Sequence, residues 1–302
     1  MKWKIAATAL LLLVSSANAQ MNSFFPGPGT VHSTGGGGGY TGPGDVVTNA
    51  LVWYGLRCYN TAYTGNVADI WDSSTGSTTE TLLTCSAGGT INETIHSLAT
   101  TCASGCRVKT LYDQAGTACS SGTVACDITQ ATNASRPTFT QNCIGSLPCM
   151  TFAASQQLQG TVPGLPSTAL PATISSATRQ TSSLAGAYFC LTGGTGLEGY
   201  YTTAPAVRVY NGTNQTVSTV NNTWYANQSV VNGVSSVIYL NGSSNSIGDP
   251  GGTAILAQTI IGNDNFGQLM TGNIVEVGLW ASAFNGTQQS NMNSNQRTYW
   301  GF

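Results

Sequence analysis

Hydrophobic and polar residues alternate in short bursts along most of this chain, and Gly, Asn, Ser and Thr separate the bursts. Val67-Ala68-Asp69-Ile70-Trp71-Asp72 and Arg107-Val108-Lys109-Thr110-Leu111-Tyr112 carry the period-two pattern of a strand, and Ser73 to Gly76 closes the first with turn chemistry. Beyond residue 180 the pattern predicts seven more short strands, over 186–191, 206–210, 216–220, 223–231, 235–240, 255–261 and 274–280. Asn232-Gly233 and Asn241-Gly242 predict tight turns because both residue types accept positive φ, so 223–241 reads as a hairpin. Two stretches keep helical spacing instead. Val47, Leu51, Tyr54 and Cys58 predict a short helix within 47–59, and Ile91, Ile95 and Leu98 predict another within 91–100. Many short strands at regular spacing indicate an all-β sandwich or barrel with a few short helices in the N-terminal half.

The two ends change this picture. Lys2 and Lys4, the apolar run Ile5 to Val14 and the small residues Ala17-Asn18-Ala19 form a secretory signal pattern over 1–19. The apolar run is too short to span a bilayer, and no later run is long enough. Residues 20–44, with Pro26-Gly27-Pro28-Gly29 and Gly35 to Gly39, read as a Gly/Pro-rich tether. A phosphate-binding loop would need a preceding strand and a following Lys-Ser/Thr, and this stretch has neither. One folded domain is expected over 45–302.

Only 7% of residues are charged, and the formal net charge is -2. This argues against nucleic acid as a partner, since its phosphates demand a basic face. Nine cysteines follow the signal pattern. In an exported chain they predict disulfides. Spacing suggests Cys58 with Cys85, Cys102 with Cys106, Cys119 with Cys126 and Cys143 with Cys149, which leaves Cys190 alone. No Cys-x-x-Cys pair exists, and His32 and His96 lie apart from any cluster, so neither a metal nor another cofactor is expected. Eight Asn-x-Ser/Thr sequons reflect the richness in these residues, and nothing in the sequence sets an oligomeric state.

With eleven carboxylates the search for acid chemistry can be exhaustive. Asp45, Asp127 and Asp249 lie in loops, and Glu80 and Glu93 in polar segments. Asp69, Asp72 and Asp113 stand beside turn residues, where Asp commonly caps backbone. Glu276 sits in the strand pattern 274–280 and reads as a hydrogen-bonded structural acid. Asp264, in Gly262-Asn263-Asp264-Asn265, and Glu198, in Thr195-Gly196-Leu197-Glu198-Gly199-Tyr200-Tyr201, remain. Glu198 is the sole acid between Asp127 and Asp249; as a plain reading it is a loop residue. A Ser-His-Asp hydrolase is poorly supported, because His96 has no recognisable nucleophile elbow near it.

Two groups of segments resemble known proteins. Trp224 to Val231, Val237 to Gly242, Ile260-Ile261-Gly262 and Gly272 to Val277 are similar to the closing strands of concanavalin A-like or laminin-G-like jelly rolls. Tyr63-Thr64-Gly65, Val67 to Gly76, Cys102 to Cys106, Val108 to Gly116 and Asp127 to Ala131 resemble, in that order, the catalytic domain of the α-L-arabinofuranosidase B family. The resemblance implies a secreted jelly-roll glycosidase that acts on polysaccharide, releasing terminal arabinofuranose with retention. It puts the acid/base on Asp264, because Gly262-Asn263-Asp264-Asn265 matches a Gly-Gly-Asp-Asn segment. The family's Asp-x-Glu-Asn-Gly run falls on Arg208-Val209-Tyr210-Asn211-Gly212. Tyr210 then stands at the nucleophile's position and Arg208 at that of the Asp, and a pair of adjacent cysteines is reduced to Cys190. Tyr210, Asn211 and Asn263 become candidate substrate-binding residues, and Glu198 the candidate replacement carboxylate. The alternative is a non-catalytic carbohydrate-binding or surface module that has lost the nucleophile.

Overall fold

The computed structural model describes residues 39–72, 80–93, 102, 105–116, 126–153, 155–160, 170–192, 196–252, 258–264 and 267–302. The expected signal segment and most of the tether lie outside these residues. The first half carries α1 (Pro43–Val46), β1 (Val52–Gly55), β2 (Asn66–Asp72), β3 (Glu80–Ser86), β4 (Thr90–Glu93), β5 (Cys106–Leu111), β6 (Ile128–Thr129), β7 (Thr138–Ile144), β8 (Leu147–Phe152) and β9 (Leu158–Gln159). The second carries β10 (Ala172–Gln180), β11 (Gly186–Thr192), β12 (Glu198–Tyr201), β13 (Ala206–Tyr210), β14 (Asn214–Ser218), β15 (Tyr225–Val231), β16 (Val237–Leu240), β17 (Ser243–Ser246), β18 (Gln258–Ile261), β19 (Gly272–Trp280) and α2 (Gly286–Trp300). The ladders between these strands are antiparallel, and the fold is the expected all-β jelly roll.

β19 is the centre of one layer. It pairs with β1 and β10 along its length and with β8 at its start, and all nine of its residues are buried. Val275, Val277 and Leu279 enter the main core. Glu276, Gly278 and Trp280 point the other way, where a Cβ on Gly278 would come within 2.5 Å of Trp53. α2 packs over this outer face: Gln296 accepts a hydrogen bond from Gln228 at 2.8 Å and donates one to Ser175 at 3.3 Å. The helix is held at its start by Asn285, whose side chain accepts from the Gln288 N–H, and it ends at Gly301 with φ 78°.

The other layer runs β14-β13-β12-β11-β18-β9. Tyr201, Val207, Val209, Phe189 and Leu191 turn inward to the main core. Alternation then sends the intervening side chains to the opposite face.

Several expectations are corrected. The predicted helix over 47–59 is absent: α1 ends at Val46, and Val52 to Gly55 instead pair with Leu279 to Glu276. Four residues buried on both faces of a ladder outweigh a weak helical period. Ile91 to Glu93 belong to β4, paired with Cys85 to Leu83, while residues 94–100 of the predicted helix lie outside the described residues. Among the described residues Tyr40 already packs on this fold: its hydroxyl bonds the Cys58 carbonyl, and its ring meets Tyr299 edge-on at 5.9 Å. The hairpin over 223–241 and the Asn241-Gly242 turn are present, with Asn241 at φ 45° and Gly242 at 96°. Cys58–Cys85, Cys102–Cys106 and Cys143–Cys149 are bonded as expected. Cys126 is also disulfide-bonded, and its expected partner Cys119 lies outside the described residues. Cys190 is a free, buried thiol.

Candidate active site

Register across β18, β11, β12 and β13 builds one row of side chains on the outer face: Ile260 opposite Cys190, Cys190 opposite Glu198, and Glu198 opposite Tyr210. Two residues along, Tyr200 faces Arg208 on the same side. Ala187, Cys190, Tyr200 and Ile260 form a small apolar cluster separate from the main core, with Tyr210 packed against it. Glu198 is therefore a strand residue, 5% exposed, which overturns its plain reading as a loop acid. Its place depends on Gly199, where a Cβ would come within 2.6 Å of the Tyr188 ring.

Asp264 reaches this row from the end of β18. Gly262 adopts φ 92°, and a Cβ there would approach Phe152 to 2.5 Å and the Gln156 carbonyl to 2.8 Å. Only glycine fits this turn. The chain then swings Asp264 under the sheet, fully buried, with its Oδ1 accepting from the Gln268 N–H at 2.9 Å. Asn263 holds the turn: its Oδ1 accepts from the Asp264 N–H at 2.7 Å, and its Nδ2 donates to Gln157 Oε1 at 2.5 Å.

The structure thus brings Glu198 and Asp264 to one thiol. Cys190 Sγ donates to Glu198 Oε1 at 3.5 Å and to the Asp264 carbonyl at 3.8 Å. Burial, and then the negative charge of Asp264, push the Glu198 carboxyl up to about 7. Burial and the same two acids push the Cys190 thiol far above its ordinary range, so it stays protonated and donates. No cation pairs with Glu198 among the described residues.

Around the pair, Tyr200 is the hub. Arg208 stacks its guanidinium over the Tyr200 ring at 4.7 Å and donates from Nη1 to the Tyr200 hydroxyl, which in turn donates to Asn214 Oδ1 at 2.7 Å. Sequence reasoning missed this Tyr200–Arg208–Asn214 chain, because its members are joined by strand register rather than spacing. Asn211 is fully buried and spends its Nδ2 on the Gly251 carbonyl at 2.6 Å, fastening the 250–252 loop.

Other acids have structural partners. Glu276 is buried and bidentate to Arg57, at 2.5 and 2.9 Å, as its plain reading expects. Asp113 accepts from the N–H groups of Trp53 and Ala115 at 2.9 and 3.0 Å, and burial raises its carboxyl to about 7. Asp69 lies inside β2 beside Lys109, 3.5 Å away, instead of capping a turn. Among the described residues no group of three or more His, Cys, Asp or Glu could hold a metal ion, and no helix is long and apolar enough to cross a membrane.

Solved structures share this fold. A GH54 α-L-arabinofuranosidase soaked with a cyclic sulfate inhibitor matches with a TM-score of 0.62 at 13% identity, over 84% of this chain and 65% of that one. An arabinofuranosidase complexed with arabinofuranosyl-α-1,2-xylobiose matches with a TM-score of 0.56 at 12% identity, over the same shares. The chain therefore spans just under two thirds of those proteins' length. No protein-family model and no curated protein matches the sequence. At this identity the likeness establishes an arabinofuranosidase-like jelly-roll fold.

Proposed function

We propose that this protein is an exported glycoside hydrolase of the arabinofuranosidase kind, removing terminal arabinofuranosyl residues from a polysaccharide through Glu198 and Asp264. The observation that carries the reading is the convergence of two buried acids, 66 residues apart in the sequence, beside Cys190: the thiol donates to the Glu198 carboxyl and to the Asp264 main-chain carbonyl, and the Asp264 charge raises the Glu198 carboxyl. Glycoside hydrolysis needs one carboxyl to protonate the leaving oxygen and a second, ionised, to act on the anomeric carbon or on a water. Their environments favour a division of labour. Glu198, held near 7 by burial and by its neighbour, carries the proton. Asp264, fixed by the Gln268 N–H and by Asn263, takes the second role. This reverses the role that the family resemblance gives Asp264 as acid/base. Glu198 faces Tyr210 directly, so in this reading the acid missing at position 210 is supplied from the adjacent strand. The disulfides suit an oxidising, extracellular location.

The test is hydrolysis of an aryl α-L-arabinofuranoside by the wild type and by Glu198→Ala and Asp264→Ala, with azide added. If Glu198 is the acid/base, azide rescues Glu198→Ala and yields the azide with retained configuration. Rescue of Asp264→Ala with retention exchanges the roles, and full activity in either variant removes the pair from catalysis. A second reading, a glycan-binding module without catalysis, is favoured by one observation: Asp264 is fully buried and Glu198 only 5% exposed. Binding of arabinofuranosyl oligosaccharides with no turnover by the wild type selects it.

A further inference from the structure

Arg208 is the cation on the face that carries the acidic pair, and the fold leaves it without an acid of its own. Arg57 is bound to Glu276, and Lys109 to Asp69 and Glu80. Arg136, Arg179 and Arg297 donate to carbonyl or amide oxygens of the protein. Arg208 donates only to the Tyr200 hydroxyl, itself a donor to Asn214, and its buried Nε has no acceptor among the described residues. A guanidinium presents five donors in a planar fork, and the geometry that best satisfies it is a bidentate carboxylate. Here most of that fork is unused.

Its position is equally telling. The charges of Arg208, Glu198 and Asp264 all act on the Tyr200 hydroxyl. Arg208 makes no ion pair with Glu198 among the described residues. It faces Tyr200, two residues along β12 from Glu198, a step of roughly 7 Å on a strand. That is about one sugar residue away. Stacking of Arg208 on the Tyr200 ring fixes the fork's plane.

We propose that Arg208 receives the carboxylate of a hexuronate residue next to the sugar held at Glu198 and Asp264, so that the site takes acidic, uronate-bearing glycans. The proposal rests on the functional reading above for the location of the sugar site, and its test is separable from it. The carboxylate would occupy the unused donors of the fork, while Tyr200 and Asn214 keep the guanidinium in place.

The experiment is binding, measured calorimetrically on the full-length wild-type protein. The probes are uronate-bearing arabinofuranosyl oligosaccharides and the same oligosaccharides with each carboxyl reduced to the alcohol. Wild type is expected to bind the acidic form about ten-fold more tightly, the scale of one charge-assisted hydrogen-bonded contact. Arg208→Gln should lose that preference while keeping its affinity for the reduced form, and Arg208→Lys should restore part of it. The preference should shrink as salt is added. Equal affinity of the wild type for the two forms overturns the proposal, as does a preference that survives in Arg208→Gln. If Arg208→Gln does not fold, the wild-type comparison and Arg208→Lys decide alone. Tighter binding of a sulfated neutral oligosaccharide than of the uronate form also overturns it, because a bare anion site would then be indicated. Uronate preference without any hydrolysis leaves this proposal standing and removes the catalytic one; hydrolysis without uronate preference does the reverse.

Discussion

Two acids are buried in this protein on opposite layers, and they are treated in opposite ways. Glu276 on β19 is completely enclosed and fully compensated: Arg57 grips both its oxygens, Asn295 takes another Arg57 donor at 2.8 Å, and the Tyr299 ring lies 4.6 Å from the guanidinium. Glu198 on β12 is nearly as enclosed, yet its recorded partner is a neutral thiol, and a second acid raises its proton affinity. A buried charge without a counter-ion is a cost to folding, which Glu276 avoids through Arg57. In the proposed reading, the contrast separates an acid that holds the fold from one that exchanges a proton.

Breaking the compensated site should have the largest effect on stability. Arg57→Met leaves Glu276 buried without its partner and should cost about 3–5 kcal/mol, read from chemical denaturation. A loss below about 1 kcal/mol would erase the distinction between the two sites. The double variant Arg57→Met with Glu276→Met should recover most of the loss, since the pair's own contribution is small once both charges are removed.

At the uncompensated site the effect should fall on activity. Glu198→Gln should lower kcat/KM by on the order of 10²–10⁴, the usual contribution of general acid catalysis. In the wild type, kcat/KM should fall as pH rises through about 7, where Glu198 gives up its proton. A flat profile between pH 6 and 8 would count against Glu198 as the acid.

Stability should follow pH in the same window. Glu198 and Asp113 both have carboxyls raised to about 7 in the fold, from ordinary values of 4.5 and 3.8. The folded state then binds more protons than the unfolded state between those limits, so stability is greatest below them and declines as pH rises toward 7. Glu198→Gln and Asp113→Asn should each flatten part of the decline in Tm. A Tm that rises over this range would contradict the burial of both groups.

The smallest expected effect is at Cys190. Its thiol donates to Glu198 and favours the ionised form of that carboxyl. Cys190→Ala removes the donor, so the alkaline limb of the activity profile should move to higher pH with little loss of kcat. A limb that stays in place would make Cys190 a packing residue only.

Legibility in the sequence differed sharply between elements. β2, β5, β11, β13 and β19 were readable because alternating burial writes itself into residue type. α2 was not. Its buried positions Gln289, Met292, Asn293, Gln296 and Trp300 keep helical spacing, but three of the five are amides, so no apolar period exists to detect. β1 was misread as helix because its partner, β19, lies more than two hundred residues away and contributes nothing to local pattern. At the candidate site, Asp264 was found by its motif, and Glu198 by elimination. Arg208 and Tyr210 entered only as departures from a family run, and the chain linking Arg208, Tyr200 and Asn214 was invisible.

By itself the sequence determined the all-β class, the sites of the hairpin turns, three disulfides and the shortlist of acids. Each follows from local chemistry: alternation, positive φ at Asn-Gly, short cysteine spacing and the scarcity of charge. Tertiary structure alone decided which acids meet. A one-residue change of register on β12 would send Glu198 to the core face and Gly199 to Cys190, so the site is a property of strand pairing. Gly262 completes it, since the positive φ there turns Asp264 back onto the row that β11 and β12 have already built.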